Sequence, residues 1–469
     1  LRQANNPAAG AAWTRRAGGL AQVWLKRWRG SALLRPRLIS VAHLLSGNLG
    51  NVTLMMASLA IATRALGQQE FGVMAVVLTI GRVCERFVRF ESWQPLVRFV
   101  AAEEERGDPG RLASLYAYGL LLDIAGSCLA AILTVMAAWL IGPLVGLDPS
   151  HVDLVAIYAL AIAFNIRGMA SAALRLAGKF RVLAYIQLAG CLLRLALSAI
   201  LLAGGAGLVG FVVVWTITQI FDALLFNLLG FRALRATGVP NPIFADKSDL
   251  PGRFPGFMRF AMSTNLSSMI GTVTHEMDTL LVSTFAGPKA AGLYYLSRRI
   301  ARVAQTAGNM IQTVIYPDLA RLWTQAGGTA LRQLVTMLQM TLAAMALTAI
   351  GACWLAGKPA LDLAFGAGYA ESYPMLLAQL VAVMLTLHAA PARSALLAMN
   401  RPTHVLFASV ASLCAFLVAA FMLVPRYGGI GANLAHVAAG AAAVVITDTI
   451  FWRTLRRRAA VAAVAGAEA

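Results

Sequence analysis

Charge is scarce in this chain. Of 469 residues only 13% are charged and 59% are hydrophobic, whereas a soluble protein carries roughly a quarter charged. Acids are the scarcest, 20 Asp and Glu against 39 Lys and Arg. The five cysteines (Cys84, Cys128, Cys191, Cys353 and Cys414) all fall in apolar stretches and at no metal-ligand spacing. A disulfide framework and a zinc site are therefore excluded, and neither metal nor cofactor is expected. No Gly-rich loop ends in a Walker lysine, so ATP is not the direct energy source. Nucleophilic-serine and Cys/His catalytic arrangements are missing too, and the expectation is a protein that is not an enzyme.

What is there is hydrophobic sequence in lengths of about 20 residues, each enough to cross a hydrocarbon core of ~30 Å. The pattern predicts an all-α integral membrane protein with about twelve spans. They fall at 41–63, 72–98, 114–141, 153–174, 182–203, 208–230, 260–285, 292–316, 333–356, 374–397, 404–424 and 430–452. Little remains for a soluble catalytic domain.

Connectors alternate in character. One set is basic, with Arg175, Lys179 and Arg181 or Arg456, Arg457 and Arg458, while the other holds only Arg64, Lys289, Lys358 and Arg426. Lys/Arg bias sets orientation, so both termini are expected in the cytoplasm, as is the Pro-rich linker 231–259. The formal charge of +19 is then explained by basic loops on anionic lipid, with no nucleic-acid partner needed. The leading segment 1–40 holds Arg15, Arg16, Lys26, Arg27, Trp13, Trp24 and Trp28. It lacks the apolar core of a cleavable signal and reads either as a cytoplasmic amphipathic segment or as disorder. The chain opens on Leu1, which leaves its natural start open.

The halves 41–230 and 260–453, with a tail at 454–469, resemble each other. Ser46-Gly47-Asn48-Leu49 answers to Ser263-Thr264-Asn265-Leu266, and Leu66-Gly67 with Phe71-Gly72 to Ala286-Gly287 with Ala291-Gly292. The turn Ala173–Phe180 matches Ala395–Pro402. An even number of spans per half gives both the same orientation, as in parallel-repeat transporters.

With these matches, Gln94-Pro95-Leu96-Val97-Arg98 and Tyr427-Gly428-Gly429-Ile430-Gly431-Ala432 in place, the sequence resembles the multidrug/oligosaccharidyl-lipid/polysaccharide exporter superfamily. Within it, the chain is most similar to the polysaccharide and O-antigen flippases. The resemblance covers about 41–453. It implies two pseudo-symmetric six-helix lobes in a V around a cavity in the bacterial inner membrane. By alternating access these would pass an undecaprenyl-diphosphate-linked oligosaccharide for exopolysaccharide or O-antigen synthesis. It also implies proton or sodium coupling and a polysaccharide polymerase or export machinery as partners.

Charged groups at bilayer depth are functional candidates by default. On one helix Arg82, Arg86, Arg89 and Trp93 fall within an arc of about 60°, with Glu85 beside them. Superposing Gly72 on Gly292 puts Arg82 on Arg302, Glu85 on Gln305 and Arg89 on Asn309. The second stripe carries Arg298, Arg302, Gln305, Asn309 and Gln312. Guanidinium forks suit phosphate oxygens, so Arg82, Arg86, Arg89, Arg298, Arg302 and Arg194 are expected to meet the diphosphate. Glu85, Trp93, Gln305, Asn309 and Gln312 would be polar cavity residues. A salt-bridge network that fixes the lobes is the alternative. His275, Glu276 and Asp278 form either a coupling-ion site or, for Asp278 opposite Arg298 and Arg299, a structural ion pair. Since the first half holds more arginines, the anionic head is expected to rest mainly there. Two other readings stay open. A cation-coupled drug antiporter would want an acidic cavity, and a membrane polymerase or ligase a long periplasmic loop.

Overall fold

A computed structural model describes the backbone of residues 34–467, apart from 90–91, 105–106 and 326. Side chains at 34–49, 267–275, 307, 309–318, 320–321, 324–329 and 458–467 are outside that description, as is the leading basic segment with Trp13, Trp24 and Trp28. Every long element is helical, and no strand occurs among the described residues. In order these are α1 (Leu34–Val88), α2 (Trp93–Glu104), α3 (Pro109–Ile141), α4 (Val152–Ala163), α5 (Gly168–Leu176), α6 (Phe180–Ala203) and α7 (Leu208–Ala236). The short α8 (Leu250–Arg253) precedes α9 (Phe257–Gln325), α10 (Gly327–Phe365), α11 (Tyr373–Ala398) and α12 (Pro402–Ala467). Seven helical stretches among the described residues are long and apolar enough to cross a membrane. Their outer faces carry Leu140, Leu355 and Leu363, each more than 70% exposed, which only a lipid surround makes favourable. The chain is a multi-pass membrane protein.

Three of the helices bend at a glycine. α1 does so at Gly67 (φ 67°, ψ −175°) and α9 at Gly287 (φ 80°, ψ 170°). The two bends share one backbone conformation at positions 220 residues apart. α12 bends at Gly428. Just past the first two bends the paired helices press together. A Cβ on Gly292 would lie 2.7 Å from Gly72 Cα, and one on Gly72 would strike the Pro288 carbonyl. Around this contact Phe71 packs on Tyr295 and Tyr369, with ring centroids 6.2 and 6.1 Å apart. Tyr369 Oη donates to the Thr63 carbonyl (3.3 Å), and Ser283 Oγ to that of Val145 (2.5 Å). This end of the molecule, the turn side, is sealed between the halves.

At the opposite end, the linker side, the connector is docked rather than loose. Arg111 bridges Glu103 (2.5 Å) and the Arg253 carbonyl (2.9 Å), and Phe257 stacks on Tyr118 at 4.7 Å. α7 runs on to Ala236, so the linker begins inside a helix.

Two expected spans are broken. The span expected at 72–98 stops at Val88 and resumes as α2 at Trp93, and that at 153–174 is interrupted between Ala163 and Gly168. The second break survives because its freed backbone groups find partners. Asn227 Nδ2 donates to the Ile166 carbonyl (2.6 Å) and Ser127 Oγ to that of Asn165 (3.4 Å). The buried Asp123 carboxylate accepts the Met169 N–H at 2.7 Å, so an acid on α3 caps α5. Hydropathy averages over such a break, which is why two continuous spans were expected.

The turns before α6 and α12 have the same geometry. Gly178 and Asn400 both sit at positive φ (68° and 58°), and the N–H groups of Lys179 and Arg401 return to the carbonyls of Leu174 and Leu396. Nothing lies within 4 Å of a Cβ on Gly178, so backbone strain alone should govern substitution there. Gly178→Ala is expected to cost about 1 kcal/mol and Asn400→Gly to be neutral or slightly stabilising. Thermal unfolding in detergent checks this; equal shifts in both variants would refute the shared turn.

Candidate functional site

Between the halves lies a cavity of about 370 Å³. Seven arginines line it (Arg82, Arg86, Arg89, Arg167, Arg194, Arg299 and Arg302) against three carboxylates (Glu85, Asp222 and Glu276). The lining therefore has a formal excess of four positive charges.

Glu276 holds the centre. Its carboxylate lies 3.4 Å from Arg82 Nε and accepts from an Arg302 guanidinium nitrogen at 3.3 Å. The two arginines that the repeat made equivalent thus converge on one acid. Arg82 also donates to Tyr295 Oη (3.1 Å) and Thr79 Oγ1 (3.1 Å), and Arg299 Nε reaches the same Tyr295 oxygen at 3.0 Å. Tyr295 shields the guanidiniums with its face as well, 5.1 Å from Arg82 and 5.0 Å from Arg299.

A second chain of contacts runs through the first half. Glu85 takes Arg89 and the Asn165 amide, and Asn165 in turn takes Arg167. Asn165 and Arg167 belong to the break between α4 and α5. Unwinding there turns them toward α1, which a continuous helix would not do. Arg194 Nε donates to Thr218 Oγ1 (3.0 Å) and its guanidinium covers Trp215 at 5.3 Å.

Several expectations are redrawn. Arg298 does not line the cavity. It pairs with the fully buried Asp278, which also accepts from Tyr294 Oη (2.8 Å) and lies 2.7 Å from His436 Nε2. The Asp278 group is thus a packed ion pair beside the cavity. Trp93 leaves the arginine stripe because the break at Val88 puts it on α2, where it faces Arg175 instead. Gln305 is half-buried and off the lining. The side chains of His275, Asn309 and Gln312 lie outside the described residues. Tyr158, Asn165, Gln219 and Tyr295 line the cavity without having been singled out. Of these only Asn165 left a mark in sequence, since Asn165-Ile166-Arg167-Gly168 is a polar, glycine-ended run inside an apolar span.

Comparison with known proteins fits this geometry. The family described as polysaccharide biosynthesis protein matches residues 38–323, more than half of the chain. The chain belongs to that family. The "Inner membrane protein YghQ" of Escherichia coli (strain K12) is 24% identical over 353 residues, which is 75% of this chain and 99% of that protein. Among solved structures, the lipid II flippase MurJ in an inward closed conformation aligns at TM-score 0.66 and 15% identity over 86% of each chain. An inward-facing multidrug resistance transporter of the MATE family in the MOP superfamily aligns at 0.66 and 13%, over 87% of this chain and 96% of its own. The fold is that of this exporter superfamily. Its solved neighbours are a flippase and a drug transporter rather than enzymes.

The two acids of α9 should respond differently to neutralisation. Asp278→Asn leaves the buried Arg298 without its carboxylate and is expected to cost ~3–5 kcal/mol. Glu276→Gln, in a cavity open to water, should cost much less. Tryptophan-monitored melting of the purified variants measures both; equal losses would mean that Glu276 is as structural as Asp278.

Proposed function

We propose that this protein moves a polyprenyl-diphosphate-linked oligosaccharide across the bacterial inner membrane by alternating access. The observation that carries the reading is the excess of four positive charges on the lining of the cavity between the halves. Uncompensated guanidiniums at bilayer depth are costly, and a diphosphate offsets that cost when it binds. Guanidinium is suited to the task, since it stays charged in a low dielectric and offers paired donors to phosphate oxygens. The cavity is at the small end for a ligand site. It suits the diphosphate and the adjoining sugar, with the isoprenoid chain left in the lipid. Basic connectors favour the linker side as cytoplasmic, and the seal at Gly72 and Gly292 fits a state in which loading is from that side. A polysaccharide such as O-antigen or an exopolysaccharide agrees with the family, and a proton or sodium gradient is the driving force that this class of fold suggests.

A drug antiporter shares the fold, but a cationic drug would be repelled by this lining. In a strain dependent on this protein, Arg86→Ala and Arg89→Ala should each cut surface polysaccharide at least tenfold at unchanged protein level. The lipid-linked repeat unit should accumulate on the cytoplasmic side. Wild-type export in both variants would sink the diphosphate role, and normal polysaccharide with raised drug sensitivity on deletion would favour the antiporter.

A further inference from the structure

On the linker side of the central cavity, at the two helix breaks, is a second chamber of about 300 Å³. Arg89, Arg167 and Arg175 line it together with Trp93, Gln187 and Phe226, and its lining has no carboxylate. Arg89 and Arg167 line the central cavity as well, so the chambers adjoin through two shared arginines.

The charge of this chamber is poorly compensated. Arg89 pairs with Glu85. Arg167 Nε donates to the Asn165 side-chain carbonyl, and Arg175 Nε to Ser171 Oγ at 3.2 Å. Both acceptors are neutral, and among the described residues neither arginine is in salt-bridge distance of an acid. Arg175 is held in place by Trp93, its guanidinium 4.3 Å from the ring centroid. Glu85 and Asp222 of the central cavity act on Arg167 only from beyond salt-bridge distance, so two fixed cations inside a helical bundle, hydrogen-bonded to neutral acceptors, form a site that an anion completes. Trp93 and Phe226 add apolar faces beside the charges, where a sugar ring or an isoprene unit would rest.

We propose that this chamber is a second binding site, which holds the diphosphate headgroup of a polyprenyl lipid before it enters the central cavity. Sharing Arg89 and Arg167 lets the anion pass between chambers without losing contact with guanidinium. Several adjoining sites of moderate strength favour passage over trapping. The binding step stands by itself; only the onward transfer rests on the function proposed above.

Native mass spectrometry of the full chain in phosphatidylcholine nanodiscs, titrated with geranylgeranyl diphosphate, tests the proposal. The wild type is expected to hold two molecules. Arg175→Gln should weaken one of them at least tenfold, the loss of one charge-assisted contact. Arg302→Gln, which alters the central cavity alone, should weaken the other. Arg175→Lys keeps the charge and is expected to keep both. Gln187→Glu adds a negative charge to the chamber at an exposed position and should expel one molecule without harm to the fold. Wild-type count and affinity in both Arg175→Gln and Gln187→Glu overturn the proposal. A single wild-type site lost in Arg175→Gln but kept in Arg302→Gln upholds this chamber and removes the central reading. The reverse pattern removes this chamber and leaves the central reading standing, and no binding at all overturns both. Inorganic pyrophosphate competing as well as the lipid, or phosphatidylglycerol doing so, would reassign the chamber to a free anion or to bulk lipid and overturn the occupant.

Discussion

One carboxylate ties the halves of this protein together at the depth where charge is hardest to keep. Glu276 lies within reach of Arg82 from the first half and Arg302 from the second. Without it two guanidiniums would face each other across a cavity already rich in positive charge. With it they stay oriented, and Tyr295 fixes the same cluster from the side. Glu276 neutralises only part of that cluster, so the cavity retains its appetite for an anion. An anion bound there, as the proposed function requires, would compete with Glu276 for the same donors and so couple occupancy to the link between the halves.

The remaining architecture keeps that cluster wet and positioned. Polar backbone cannot be left open in lipid, yet two helices are interrupted beside the cavity. Asp123 supplies the missing acceptor at the start of α5, and Asn227 the missing donor at Ile166. The interruption frees Asn165 and Arg167 to turn inward and makes room for a second set of arginines around Trp93. Asp278, by contrast, is spent on packing. Its contacts with Arg298, Tyr294 and His436 fix α9 to itself and to α12, beside the cavity but off its lining.

Much of the frame could be read in one dimension. Apolar runs of the right length announce a membrane protein because lipid selects for them locally, residue by residue. The repeat was legible in glycines. Gly67 and Gly287, like Gly178 and Asn400, recur because the same backbone conformation is needed twice, and few residues can adopt it. From that register the pairing of Arg82 with Arg302 followed, and the excess of arginine over acid on the first stripe was plain. The breaks were not legible, because window-averaged hydropathy does not see four residues. Helical spacing alone therefore places Trp93 on the arginine stripe and Arg298 in the cavity, whereas Trp93 meets Arg175 beyond the break and Arg298 meets Asp278.

The sequence by itself determined membrane insertion, helical class, internal repeat and the sign of the cavity's charge, since each follows from composition or from short-range spacing. Tertiary structure alone decided which charges are spent on one another. An ion pair such as Asp278–Arg298 needs its members within a few ångström, and two helices can present the same residues either to each other or to a shared space. Only the packing of α9 against α12 and the unwinding at Asn165 settle that choice, leaving Arg298 neutralised in the protein and Arg167 facing the cavity.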